Sequence, residues 1–263
     1  MLRVAPPAAR SIGAPHISCV AWPTNAALAS CSTMREGREA MKVIGFSAGV
    51  VGRDSNTDRM VKSIMDTSGL DSEFVKLNDL DYSACKGCVW LCAEPQVCQL
   101  EDDLLPYYRK VKEADAVVLG SPVHHGTISA AILSFISRFW GFRHVEFAIA
   151  DKPFVLAICG IGKWQDTAEA DFRRALRSPR VSILDVVRFS SEIPPCYRCG
   201  RHTECSIGGA YRIWGEKVRT LSITPALFNR WEDDPATIAA VEAAAQKLRE
   251  VQPSSKPAEM GDA

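Results

Sequence analysis

Residues Ala114–Phe139 read ADAVVLGSPVHHGTISAAILSFISRF. The opening ADAVVLGSPV is nearly all apolar and rich in valine. A strand with one wet face alternates apolar with polar residues, so an unbroken apolar run belongs to a strand covered on both faces, as in a parallel sheet. The run ends in a turn holding Pro122 and Gly126, and the chain enters a helix through Thr127. This is the strand, turn and helix of an α/β unit.

The same unit recurs on either side. Upstream, MKVIGFSAG opens at Met41 as a strand. The polar VVGRDSNT follows, then an amphipathic stretch in which Met60, Ile64 and Met65 share one helical face. SEFVKL, residues 72–77, is a second strand, and residues 101–113 are a helix with Asp102 and Asp103 in its first turn. Downstream, KPFVLAICG closes on Gly160 and Gly162 and passes to a helix over 167–176; VSILDVVRF is a fifth strand. DDPATIAAVEAAAQKLREV is a last helix, capped by Asp234 with Pro235 at its first position and Ile238, Val241, Ala245 and Leu248 on its buried stripe. The expected fold is a doubly wound, five-stranded parallel sheet with helices on both faces, over residues 41–251. Ligands of such sheets sit beyond the carboxyl ends of the strands. The loops Ser47–Thr57, Ser121–Thr127 and Cys159–Trp164 therefore face one crevice, with Trp164 and Gln165 beside it.

Composition bounds the function. The chain has 263 residues, 47% of them apolar, with 31 Lys and Arg against 31 Asp and Glu. Balanced and dispersed charge gives no basic field for nucleic acid, and no apolar run approaches the roughly 20 residues of a membrane span. Residues 1–40 carry arginine, alanine, proline and serine with few acids and no apolar period. Three readings compete for them: a transit peptide, a disordered extension, or sequence ahead of a true start at Met41. Cys19 and Cys31 within them receive no function, and the end from Gln252 is read as frayed.

The cysteines are grouped. CKGCVWLCAEPQVC brings Cys85, Cys88, Cys92 and Cys98 into one short polar loop. Thiolates bind soft metals, and four in one loop can close a tetrahedral zinc site or hold one iron-sulfur cube. Zinc folds usually bring together two ligand pairs about a dozen or more residues apart, and the crowding of the first three thiols here favours a cluster. A second polar loop holds Cys196, Cys199 and Cys205, with His202 between them; zinc, a second cluster, a redox dithiol and unliganded cysteines all fit its spacing. Grouped thiols of this kind place the protein in a reducing, cytoplasmic compartment. In the first turn-to-helix segment, a helix N-terminus with Ser47, Ser55, Asn56 and Thr57 around it suits an anion. Helix capping by Ser55 or Asn56 accounts for the same residues. Neither GxGxxG nor a phosphate-loop lysine followed by Ser or Thr is present, which argues against a nucleoside triphosphate.

MKVIGFSAGVVGRDSNTDRM, the first cysteine loop followed by EDDL, and ADAVVLGSPVHHGTISAAILSFISR together resemble the iron-sulfur flavoproteins of the NADPH-dependent FMN reductase superfamily, over residues 41–215. The resemblance implies a flavodoxin-like fold, FMN in the crevice and a 4Fe-4S cluster on Cys85, Cys88, Cys92 and Cys98, within a dimer or tetramer. It places Ser47, Arg53, Ser55, Asn56 and Thr57 at the flavin phosphate, and Ser121, Pro122, Val123, His124, His125 and Gly126 along the isoalloxazine ring. The chain departs from the family at four points. Val89, Trp90 and Leu91 make three residues where two usually separate the second and third cysteines. His124 and His125 replace a common aromatic pair, Leu133 stands where a lysine is common, and the loop from Ser47 to Arg53 is longer. The implied activity is an oxidoreductase passing electrons between NAD(P)H or a ferredoxin-type donor, flavin and cluster. Its rivals are a flavin-dependent quinone or nitro reductase with structural zinc, and a non-enzymatic electron carrier or redox sensor.

Overall fold

The computed structural model describes residues 41–190, 196–224 and 227–252. The expectations for residues 1–40, including Cys19 and Cys31, and for the tail from 253 onward lie outside these residues.

The elements in chain order are β1 (Lys42–Ser47), α1 (Asn56–Ser68), β2 (Asp71–Lys76), α2 (Val89–Cys92), α3 (Leu105–Glu113), β3 (Ala116–His124), β4 (Thr127–Ile128), α4 (Ala130–Ser137), β5 (Pro153–Gly160), α5 (Trp164–Leu176), β6 (Ser182–Ser190), α6 (Cys196–Cys199), α7 (Gly209–Trp214) and α8 (Pro235–Glu250). Five strands run parallel in the order β2-β1-β3-β5-β6, and β4 folds back antiparallel on the end of β3. The chain steps outward from β1 to β2, then crosses back to β3 on the other side of β1. The strand order thus reverses between β1 and β3, where a flavodoxin-like sheet opens its crevice.

Both faces of the sheet are covered, which is why the strands read as continuous apolar runs. On one face Ile44, Phe46, Val117, Leu119, Phe154 and Leu156 meet Tyr108, Phe135, Phe139 and Phe172 from α3, α4, the turn after it and α5. On the other, Val43, Val118, Val155 and Val187 meet Met60, Ile64 and Met65 of α1 and Val241 and Leu248 of α8. Phe135 lies 4.4 Å from Phe46, 5.4 Å from Tyr108 and 5.1 Å from Phe139, ring centre to ring centre. A side chain of this size contributes about 2 kcal/mol through burial. Gly120 allows α1 to approach the switch point, since a Cβ there would sit 2.4 Å from Val61 Cγ2.

Several element boundaries differ from the sequence reading, and the helix expected to be entered through Thr127 starts at Ala130, because Thr127 pairs with His124 in β4 and Ser129 caps α4. The second strand begins one residue earlier, at Asp71. The helix expected from residue 101 starts at Leu105, so Asp102 and Asp103 precede it. Their carboxylates are drawn elsewhere: Asp103 accepts from Asp81 N at 2.7 Å, and Asp102 pairs with Arg138 while accepting from Leu104 N at 3.1 Å. The helix expected from residue 167 winds up at Trp164, because Trp164 N and Gln165 N bond back to Ile161 O and Gly162 O.

Candidate functional site

The crevice is built from the carboxyl ends of β1 and β3. Ser47 lies opposite Gly120 in register, and Ala48 N donates to Gly120 O at 2.9 Å, so the loops leaving these strands start side by side. The first runs to α1, whose N-cap is Ser55. Ser55 Oγ accepts from Asp58 N, and Asp58 Oδ2 accepts from Ser55 N at 2.8 Å, a reciprocal capping box. Asp58 is fully buried, and its carboxylate also accepts from Ser47 Oγ at 2.6 Å, Ser55 Oγ at 2.8 Å and Lys76 Nζ at 3.1 Å.

Several of the side chains expected at the flavin phosphate have partners within the chain. The hydroxyls of Ser47 and Ser55 are turned inward to Asp58. Thr57 is buried against Gly120 and bonds the Cys159 thiol, while Asn56 reaches Asn229 O at 3.3 Å. The loop still offers an anion the N–H groups of Asn56 and Thr57, since Asp58 N is taken by Ser55 Oγ, and the positive end of the α1 dipole. Arg53 belongs to this loop, Arg198 bonds to it, and Arg59 of α1 is paired with Glu232. Burial and then the positive charges of Arg198 and Arg59 pull Arg53 below the ordinary arginine value, so the three cations feel one another. Arg198 comes from the second cysteine loop and donates to Val51 O at 2.7 Å.

The second wall is the end of β3. Ser121 is buried; its hydroxyl donates to Pro122 O at 2.8 Å and accepts from Ser129 N at 2.9 Å, which ties β3 to the start of α4. Its side chain is therefore structural, and Pro122, Val123 and the two histidines form the accessible edge. His124 pairs with Thr127 across a two-residue turn, with His125 at φ 51° and Gly126 at φ 79°. Two positive-φ residues are what a two-residue hairpin needs to follow the twist of its strands. Gly126 is required twice, because a Cβ there would also lie 2.7 Å from Trp164 Cε3. Partial burial of its ring, then the charge of His125, push His124 below the ordinary imidazole value. Trp164 stands half exposed beside this tip, whereas Gln165 is buried and donates to Gly160 O at 3.0 Å.

The first cysteine loop encloses a small cavity lined by Cys85, Cys88, Cys92 and Cys98 together with Arg138 and Trp140. Burial, then the charges of Cys98, Cys88 and Cys85, push the Cys92 thiol up. Arg138 is 1% exposed, with Nε 3.1 Å from Cys98 Sγ, a guanidinium hydrogen bond of 2.5 Å to Asp102, and its plane 4.8 Å from the Tyr108 ring. Burial pulls its pKa down, but Tyr108, Asp102 and Cys98 outweigh it and the net shift is upward. His144 Nε2 is 3.0 Å from Cys92 Sγ. The sequence reading missed Asp58, Arg138 and His144. The one signal available was an arginine in the otherwise apolar run AAILSFISRFWGF; His144 had none.

Among the described residues, no three His, Cys, Asp or Glu side chains already converge on a metal-sized point. The chemistry of the first loop's donor set suits a sulfur-ligated cluster: four cysteines line one small cavity, with a buried cation beside them. Of the second group, Cys196 and Cys205 both approach Gly208, while Cys199 is exposed. The crevice likewise fits a phosphate-bearing flavin through its cation-rimmed helix N-terminus. A larger cavity, of about 890 Å³, lies at the opposite edge, beside Asp115, Lys152 and Pro153 where β3 and β5 begin.

The similarity of the chain to known proteins follows the same lines. Over 115 residues it is 37% identical to an iron-sulfur flavoprotein of Methanocaldococcus jannaschii, covering 43% of this chain and 58% of that protein. An iron-sulfur flavoprotein of Methanosarcina thermophila is 24% identical over 115 residues, covering 43% of this chain and 59% of the relative. The matched stretch thus spans less than two thirds of these relatives' length. The fold matches the apo crystal structure of an NADH:FMN oxidoreductase with a TM-score of 0.51 at 13% identity, over 82% of this chain and 92% of the other. Residues 41–194 match the family described as NADPH-dependent FMN reductase, and the chain belongs to that family.

Proposed function

We propose that the protein is an FMN-dependent oxidoreductase carrying a 4Fe-4S cluster on Cys85, Cys88, Cys92 and Cys98, with NAD(P)H or a ferredoxin-type protein as electron donor. The observation that carries the iron-sulfur part is the single small cavity lined by all four cysteines together with the buried Arg138. The flavin supplies exchange between two-electron and one-electron transfer, and the cluster supplies one-electron storage.

The chain's own residues position these groups. Arg53, Arg198 and the N–H groups of Asn56 and Thr57 hold the flavin phosphate. Asp58 does not meet it; that carboxylate keeps Ser47, Ser55 and Lys76 in place so that the loop is formed before an anion arrives. Pro122, Val123, His124, His125 and Gly126 border the ring. His124, held neutral by its surroundings, accepts a hydrogen bond or a proton at the exposed edge. Trp164 shields that edge from water. Arg138 offsets the negative charge of the four thiolates and fixes Cys98 by its 3.1 Å contact.

Val89, Trp90, Leu91 and Trp140 are exposed apolar residues around the thiol cavity, Trp90 being 74% exposed. A second copy of the chain covers them in this reading, giving a homo-oligomer. A cytoplasmic setting suits the free thiols, and among the described residues no helix is long and apolar enough to cross a membrane.

The test is anaerobic purification followed by iron, sulfide, zinc and FMN assays on one sample, with visible spectra before and after NADPH. About four irons and four sulfides with one FMN per chain support the reading. Zinc in place of iron reduces it to a simple flavin reductase, and absence of FMN overturns it.

A further inference from the structure

We infer that Cys196, Cys199, His202 and Cys205 form a structural zinc site, and that this site holds Arg198 against the loop that receives the flavin phosphate. The second clause rests on the FMN reading; the zinc site does not.

The four residues are spaced C-x2-C-x2-H-x2-C. Cys196–Cys199 forms the single turn α6, and Gly200, at φ 72°, closes it by donating N–H to Cys196 O at 3.1 Å. Residues three apart on such a turn return to one side, as in the knuckles that present paired thiolates to zinc. Two sulfurs already receive backbone donors: Gly208 N is 3.1 Å from Cys205 Sγ, and Ala210 N is 3.3 Å from Cys196 Sγ. Both sulfurs crowd the same spot, since a Cβ on Gly208 would lie 3.0 Å from Cys205 Sγ and 3.3 Å from Cys196 Sγ.

His202 supplies the independent observation. Its Nε2 lies 3.1 Å from Leu221 O, and a carbonyl can only accept, so Nε2 carries the proton. Nδ1 then holds a bare lone pair, and that atom is buried with no hydrogen-bond partner. A ring with one nitrogen tied to a carbonyl and the other unprotonated and enclosed keeps a lone pair free for a metal, as a ligating histidine does. Three thiols and one imidazole fill a tetrahedral zinc ion, whereas a cube of four irons here would have to take the imidazole or an external ligand in place of a fourth thiolate. Binding exchanges three S–H protons for the metal, and no electron moves.

The consequence lies in the residue between the first two ligands. Arg198 leaves the knuckle, donates to Val51 O at 2.7 Å and adds its charge to that of Arg53 and Arg59. Closing the knuckle fixes the base of this side chain.

The test uses the full-length protein purified anaerobically, with zinc and iron measured in the wild type, Cys92→Ser, Cys199→Ser and His202→Cys, and FMN affinity measured in the wild type and Arg198→Ala. About one zinc per chain, kept in Cys92→Ser and His202→Cys and lost in Cys199→Ser, is the expected result. Should Cys199→Ser not fold, cobalt(II) added to chelator-treated wild type must give the visible bands of a tetrahedral thiolate site. No zinc in the wild type, iron at these residues, a Cys196–Cys199 disulfide, or zinc retained in Cys199→Ser overturns the site. FMN affinity at least fivefold weaker in Arg198→Ala, with zinc unchanged, supports the link to the flavin loop; unchanged affinity overturns that link alone. A wild type that holds zinc but no FMN overturns the flavin reading and leaves the zinc site standing.

Discussion

Arg138 brings a full positive charge into the interior beside Cys98, and Asp102 is its acidic partner. A buried guanidinium is tolerable only while paired, so Arg138→Leu, which leaves Asp102 without it, is expected to cost about 3–5 kcal/mol, read from chemical denaturation. Asp102→Asn keeps a hydrogen bond to the guanidinium and is expected to cost less than Arg138→Leu. Cys159 is a second residue whose surroundings decide its chemistry. Burial pushes its thiol up to about 12, with the Thr57 hydroxyl and Arg59 opposing. Its folded pKa thus exceeds the ordinary value of 9.0, so its contribution to stability is complete below that pH and is lost as pH rises toward 12. Cys159→Ala is accordingly expected to flatten the fall of stability in alkali. At pH 8.5 the native protein is expected to leave Cys159 unalkylated while Cys85 and Cys199 react, as peptide mapping of the metal-free protein would show.

At the level of elements, the hairpin joining β3 and β4 is the part most constrained by backbone geometry. Gly126 has a positive φ and lies against the Trp164 ring, so Gly126→Ala combines strain of about 1 kcal/mol with a collision that moves Trp164. We expect FMN affinity in this variant to fall about tenfold with little change in melting temperature, measured by flavin fluorescence titration and calorimetry. An equal loss of affinity in Gly69→Ala would assign the effect to general destabilisation, since Gly69 also has positive φ but caps the far end of α1. The sequence alone showed this segment as a turn, because Pro122 and Gly126 punctuate it. It did not show β4, a two-residue strand too short to leave a periodic pattern. The start of α3 was misread for a related reason. Acids before a helix look like first-turn residues, and only the fold brings Asp81 N and Arg138 close enough to claim them.

For the whole molecule, the thiol cavity and the exposed apolar residues around it belong to one surface. Covering Trp90 and its neighbours requires association, so Trp90→Glu is expected to lower the assembly state in light scattering while the isolated chain keeps its circular dichroism spectrum. A wild-type chain that is monomeric at micromolar concentration would remove this reading. The alternation of strand and helix, the two-sided burial of the sheet and the grouping of thiols in one loop were all legible in the sequence. Each follows from local composition or periodicity, which needs no knowledge of distant neighbours. The tertiary structure alone decided which polar groups face the crevice and which are used up inside. Ser47 and Ser55 turn to Asp58, Arg138 meets a thiol 40 residues away, and Arg198 returns across 147 residues to Val51. A side chain's partners across such separations depend on where the sheet places the loops, and no local pattern records that.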